Sequence, residues 1–153
     1  MSIEIKTIKD IDLIYSIVTH KDIFYDIMQG QTEIDKKTLS CGDKLFYLLK
    51  IDGEIAGIII ITDTKHDFFM VDIGIFIKFR GKSGFKLGEE AIKKYIEKNG
   101  YKNIIARIDK SNRKSLFYSI YYGFRKLFED NKYYYMRLDY GRYIKRRTNS
   151  GVH

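Results

Sequence analysis

Residues 73–92 read IGIFIKFRGKSGFKLGEEAI: an apolar run, a basic loop with glycines, then a helix-forming pattern. Gly81-Lys82-Ser83 matches the last three positions of the nucleotide-triphosphate loop G-x-x-x-x-G-K-[ST]. The match ends there. The first glycine of that signature would fall at position 76, which is Phe76, and counting from Gly74 leaves six intervening residues instead of four. Loop size fixes how many backbone N–H groups converge on a phosphate, so a loop two residues longer is a different object. The apolar residues 58–61, followed by Thr62 and Asp63, do resemble a strand ending in a magnesium-binding aspartate, but they precede the GKS. The pattern argues against an ATPase.

What remains is a strand, a basic loop and a helix starting at about Phe85. Free N–H groups and the positive end of such a helix point at whatever occupies the loop, which favours an anion. Arg80 and Lys82 add charge there, and Gly81 and Gly84 let backbone approach closely. A plain strand-to-helix turn with solvated basic residues fits the local sequence equally.

The 153-residue chain carries 44% hydrophobic and 15% aromatic residues, enough for one domain with a single core. No apolar run approaches the length that spans a bilayer, so no membrane partner is expected. The start, MSIEIKTIKD, lacks the regions of a secretory signal, and Cys41 is the sole cysteine. A cytoplasmic location and no disulfide are therefore expected, with Cys41 a structural thiol. The net charge of +8 suits a polyanionic ligand, either nucleic acid or a small molecule. Its densest cluster is Arg137, Arg142, Lys145, Arg146 and Arg147, which runs into Thr148-Asn149-Ser150-Gly151. The domain is expected to span residues 1–140, followed by a loose basic tail at 141–153.

Residues 2–8 alternate as a first strand, and Asp10 is placed to N-cap a helix carrying Ile11, Ile14, Ile17 and Val18. A second short helix is expected over 21–28, and 29–42 is polar and unassigned. Residues 44–51 and 54–62 form a hairpin across Asp52-Gly53, the dipeptide of a type I′ turn. Residues 58–61 lack alternation, so that strand is expected to be covered on both faces. The fourth strand is expected at about 68–77, with Gly74 marking a bulge or a ligand's close approach. Residues 85–99 make the strongest helix, capped by Gly100. A fifth strand at 103–108, a helix at 112–122 stopped by Gly123, and a hairpin of 124–128 with 133–138 complete the chain. The order describes an α+β domain: one mixed, twisted sheet with helices on both faces.

Residues 109–124, DKSNRKSLFYSIYYGF, follow 73–92 at a suitable distance, and together the two stretches resemble the Gcn5-related N-acetyltransferase (GNAT) superfamily. That family has an R/Q-x-x-G-x-G/A loop after its fourth strand, opening a helix on the coenzyme A pyrophosphate. After its fifth strand comes an Asn and a helix ending in Gly-Phe, matched here by Asn112 and Gly123-Phe124. The resemblance covers about 74–124 in motifs and 1–138 in element order. It implies fourth and fifth strands splayed around the pantetheine arm of acetyl-CoA. Backbone of Ile75 and Ile77 would contact that arm, and Arg80, Gly81, Lys82, Ser83, Gly84 and Phe85 would wrap the pyrophosphate. Asn112 and Ser115 would face the coenzyme. An amine would attack the thioester directly, with no metal required.

Three features depart from the family pattern. Ser83 and Phe85 stand where the first glycine and the last small residue of the loop belong. Lys78-Phe79 gives a shorter lead into Arg80, without proline. Ser119 stands where the family's acidic tyrosine usually lies, with Tyr118 and Tyr121 beside it. Tyr118 is the candidate acid if the helix rolls; its alternative is an aromatic core residue. Asp72 is the candidate base, its alternative a solvated strand carboxylate, with Glu33 and Asp35 behind it. His20 and His66 have no ligand spacing and read as surface residues.

The first functional reading is an acyl-CoA-dependent N-acetyltransferase with acetyl-CoA as co-substrate, an unidentified amine acceptor, and a monomeric or homodimeric state. A GNAT-fold protein binding nucleic acid through the basic C-terminus is an alternative, since aromatic and basic residues interleave near Tyr133, Tyr134, Tyr135 and Tyr140. Alternate tyrosines of a final strand packing in the core are the simpler account of the triplet. A catalytically lapsed GNAT fold is the third reading.

Overall fold

The structure, a computed structural model, describes residues 2–29, 33–100 and 103–138. The expected tail at 141–153 lies outside them. Seven strands form one sheet in the order β1-β2-β3-β4-β5-β7-β6. They are β1 (Ile3–Ile8), β2 (Lys44–Ile51), β3 (Glu54–Asp63), β4 (Phe68–Ile75), β5 (Asn103–Asp109), β6 (Arg125–Glu129) and β7 (Tyr133–Leu138). Every neighbouring pair is antiparallel except β4 with β5, which makes the sheet mixed.

The helices are α1 (Ile11–Val18), α2 (Phe24–Met28), α3 (Lys36–Leu39), α4 (Lys82–Asn99) and α5 (Arg113–Tyr122). Local chemistry sets their ends. Asp10 caps α1 by accepting from Leu13 N at 3.2 Å, which satisfies one of the N–H groups a helix start leaves open. Gly123 ends α5 at φ 107°, a left-handed conformation that costs glycine nothing. Asp52 (φ 49°) and Gly53 (φ 84°) turn the β2–β3 hairpin in the expected primed geometry.

Strand β3 is the spine. Ile59 and Ile61 enter one core cluster with Leu87, Ala91 and Ile92 of α4. Ile58 and Ile60 enter the other with Ile14, Ile17 and Val18 of α1 and Ile27 of α2. Each of these buried isoleucines contributes about 2 kcal/mol of transfer free energy. The unalternated apolar run is thus a strand covered on both faces, as its sequence requires.

Four details differ from the sequence expectation. Helix α3 lies in the polar stretch, a single turn held by Asp35 accepting from Lys37 N at 2.9 Å. Helix α4 begins at Lys82, three residues early, so Ser83 and Gly84 belong to its first turn and not to a loop. Strand β4 ends at Ile75, and Ile77 opens a 3-10 turn, Ile77–Phe79. Gly74 makes no bulge, since the β3–β4 register is unbroken; the close approach there is by Ile23, ahead of α2, whose Cγ2 a Cβ on Gly74 would strike. Among the described residues, no helix is long and apolar enough to cross a membrane.

Candidate active site

Strands β4 and β5 are paired only at Phe68 with Asn103, Phe69 with Ile104 and Met70 with Ile105. Past that point each follows its other neighbour, β4 along β3 to Ile75 and β5 along β7 to Asp109. A cleft opens between them, enclosing about 770 Å³ including its solvent-open part. Val71, Ile73 and Ile75 form one wall and Ala106 and Ile108 the other. Phe76 N donates to Ala56 O at 2.9 Å, so the even-numbered residues of β4 are the ones bonded to β3. Val71, Ile73 and Ile75 therefore turn their N–H and C=O groups toward the cleft. One of them is already engaged: Ile75 O accepts from Arg80 Nε at 3.1 Å. Ile77 is not on this wall; its N–H donates to Asp22 Oδ2 at 3.1 Å and its side chain is exposed.

Asp72 sits where the strands part and lines the cleft. Burial pushes its carboxyl up to about 7, partly offset by the positive charges of Arg107 and Lys44. A carboxyl with that proton affinity can exchange a proton near neutral pH. Tyr118 lines the same cleft and packs against the core cluster. Ser119 Oγ donates to Leu116 O at 2.8 Å, a local helix bond. Glu33 and Asp35 are exposed and do not line the cleft.

At the open end, α2, α4 and α5 converge. Asp26, buried on α2, pairs with Lys114 Nζ at 2.8 Å and Arg80 Nη2 at 3.6 Å. It also accepts from Asn112 Nδ2 at 3.1 Å and Ser115 Oγ at 3.2 Å. Gln29 fastens the arrangement, donating to Asp26 O and accepting from Asp109 N at 2.8 Å. Asn112 is 2% exposed and N-caps α5, accepting from Ser115 N at 3.1 Å. Ser115 and Arg80 line the cleft; Asn112 stands behind it, holding α5 and Asp26 together.

Gly81 is the N-cap of α4 at φ 107°, and it lines the cleft with Gly84. The backbone N–H groups of Gly81, Lys82, Ser83 and Gly84 open the helix, where it has no internal acceptors for them. The opening of an eighteen-residue helix thus faces the cleft's open end. Among the described residues, no three His, Cys, Asp or Glu groups come together as a metal site. His20 packs edge-on against Phe76 and His66 stacks on Phe68, and Cys41 is exposed.

Sequence reasoning missed Asp26, Arg107 and Lys114. The available signal was a charge set inside an apolar element: Asp26 in FYDIM and Arg107 in NIIARID.

In sequence, the chain matches no protein-family model and no curated protein. In structure it is similar to the N-acetyltransferase PseH of Campylobacter jejuni in complex with acetyl coenzyme A. The TM-score is 0.66 at 23% identity, covering 90% of this chain and 99% of that one. A chimera of the spermidine N-acetyltransferase SpeG from Vibrio cholerae and hSSAT aligns at TM-score 0.71 and 14% identity, over 93% and 98% of the two chains. A GNAT family acetyltransferase from Elizabethkingia anophelis with acetyl-CoA bound aligns at 0.65 and 15%, over 90% and 97%. With the mixed sheet and the parted β4 and β5, these likenesses define the class: the chain has the GNAT fold.

Proposed function

We propose that this protein is an acyl-CoA-dependent N-acetyltransferase that uses the β4–β5 cleft for acetyl-CoA and Asp72 as its base. The observation that carries the reading is the end of the β4–β5 ladder at Met70 and Ile105, with a carboxyl titrating near 7 at the point of parting. The cleft fits the coenzyme in kind. It has apolar walls, strand N–H and C=O groups facing inward, and a helix start with a glycine cap at its open end. Acetyl-CoA, when bound, supplies the activated acetyl carbonyl.

The chain's own groups have distinct roles. Backbone of Ile73 and Ile75 would hold the arm of the coenzyme, and the first turn of α4 would receive its phosphates. Arg80 and Lys114 bring two positive charges to that end, against the single carboxylate of Asp26. Asp72 removes the proton from the acceptor amine as the new N–C bond forms, and Tyr118 is the proton donor to the leaving sulfur. Asn112 is a positioning residue that keeps α5, and hence Ser115 and Tyr118, on the cleft.

Calorimetric titration with acetyl-CoA tests this, with ATP-Mg as control. Micromolar affinity for acetyl-CoA, about −8 kcal/mol, and none for ATP is the expected result. No acetyl-CoA binding overturns the reading.

A further inference from the structure

We propose that the acceptor amine carries an anionic group, a carboxylate or a phosphate, and that Arg107 receives it. The inference rests on the acetyltransferase reading above and specifies its second substrate.

Asp72 and Arg107 face each other across the fork. Met70 is opposite Ile105 in the last rung of the parallel ladder, and Asp72 and Arg107 each lie two residues further on. Strand periodicity puts all four side chains on one face of the sheet. Both Asp72 and Arg107 line the cleft. On the same face, Tyr135 of β7 is directly opposite Arg107, and Tyr133 lies two residues along. The guanidinium carbon of Arg107 is 4.6 Å from the Tyr133 ring centroid. The Tyr133 ring thus orients the guanidinium on the face of the sheet that carries the proposed base.

The charges of the cleft are unevenly matched. At the open end, Arg80 and Lys114 share the carboxylate of Asp26. At the fork, Arg107 makes no ion pair among the described residues. Lys44, on the same side, is partnered by Asp43 at 3.4 Å. Asp72 feels the positive charge of Arg107, and it is the group assigned to take a proton. A fixed guanidinium is a bidentate receptor for carboxylate or phosphate. Placed against an unadorned amine or a polyamine, the same group repels the ammonium that must approach Asp72. An anion on the acceptor removes that repulsion and steers the amine to the fork. Carboxylate and phosphate share this chemistry, and matched probes separate them.

Binding to the protein saturated with acetyl-CoA is read by NMR titration at Arg107 Nε–H. The probes are O-phosphoethanolamine against ethanolamine, β-alanine against propylamine, and spermidine. At least one probe carrying an anionic group is expected to bind tenfold or more tightly than its partner lacking that group and than spermidine. In Arg107→Gln, read by calorimetry, that ratio falls to near one, while Arg107→Lys keeps part of it. Thermal melts and acetyl-CoA affinity of both variants check that the fold and the coenzyme site persist. Which pair shows the preference tells phosphate from carboxylate. Equal binding within both pairs, tighter spermidine binding, or a preference that survives Arg107→Gln overturns the inference and leaves the acetyltransferase reading standing. Failure of acetyl-CoA itself to bind overturns both.

Discussion

Replacing Asp72 with asparagine is expected to make the protein more stable and less active in the same step. The carboxyl is raised from 3.8 to about 7 because burial penalises its ionised form more than Arg107 and Lys44 favour it. At ~1.36 kcal/mol per pH unit, keeping that carboxylate ionised in the fold costs about 4 kcal/mol. The sign follows from linkage. The folded-state value lies above the unfolded one, so the protonated carboxyl favours the fold. Its contribution is complete below 3.8 and is lost as pH rises through 7. Asparagine never ionises, so the stability of the variant relative to wild type is expected to grow by about 2 to 3 kcal/mol between pH 5 and pH 8. Other titrating groups, such as Glu129, held at about 2 by its bonds to Lys110 and Lys126, cancel in that difference. Urea unfolding of both proteins across this range measures it, provided the m-values agree. Acetyl transfer by the variant is expected to fall about 10²- to 10⁴-fold, the usual worth of a positioned base. A stability difference that stays flat with pH would refute the burial argument, and full activity would refute the role.

Two further substitutions test the packing that shapes the cleft. Gly74→Val places a better strand former in β4 but drives its side chain into Ile23, whose Cβ would be 3.2 Å from the new Cβ. The expected cost is about 2 kcal/mol, read as a fall in Tm of roughly 4–8 °C; an unchanged or raised Tm means that Ile23 does not rest on β4. Asn112→Ala removes the cap of α5 and a partner of Asp26, at an expected cost of about 1–2 kcal/mol by urea unfolding. Asn112→Asp keeps a good cap but sets two carboxylates together, so it is expected to be at least as damaging. Wild-type stability in Asn112→Asp would show that the contact with Asp26 is not made.

Legibility followed the range of each interaction. The β2–β3 hairpin was readable because Asp52-Gly53 solves a local backbone problem, and β3 because four successive isoleucines can only be buried on two faces. Asp72 and Tyr118 were reachable from their places in β4 and α5, and the structure brings both to one cleft. The start of α4 was misread because Lys82, Ser83 and Gly84 favour loops locally, whereas here they continue the helix that Leu87, Ala91 and Ile92 anchor to the sheet. Ile77 was carried past the strand end because its apolar side chain extends the pattern, although it is exposed. The Asp26 network could not be read at all. Its members are 86 or more residues apart for Asn112, Lys114 and Ser115, and no local preference of Asp26 reports them.

Mechanically, the seven-stranded sheet is two ribbons riveted at three rungs. Four strands, β1 to β4, make one ribbon and three, β5 to β7, the other; only Phe68 to Met70 and their partners Asn103 to Ile105 join them as sheet. Beyond the rivet, the ribbons are spanned by side chains, Asp26 reaching from α2 to the start of α5. The fork, where Asp72 and Arg107 stand, therefore sits against the backbone join, whereas the end beside Gly81 and Lys114 owes its spacing to side-chain contacts.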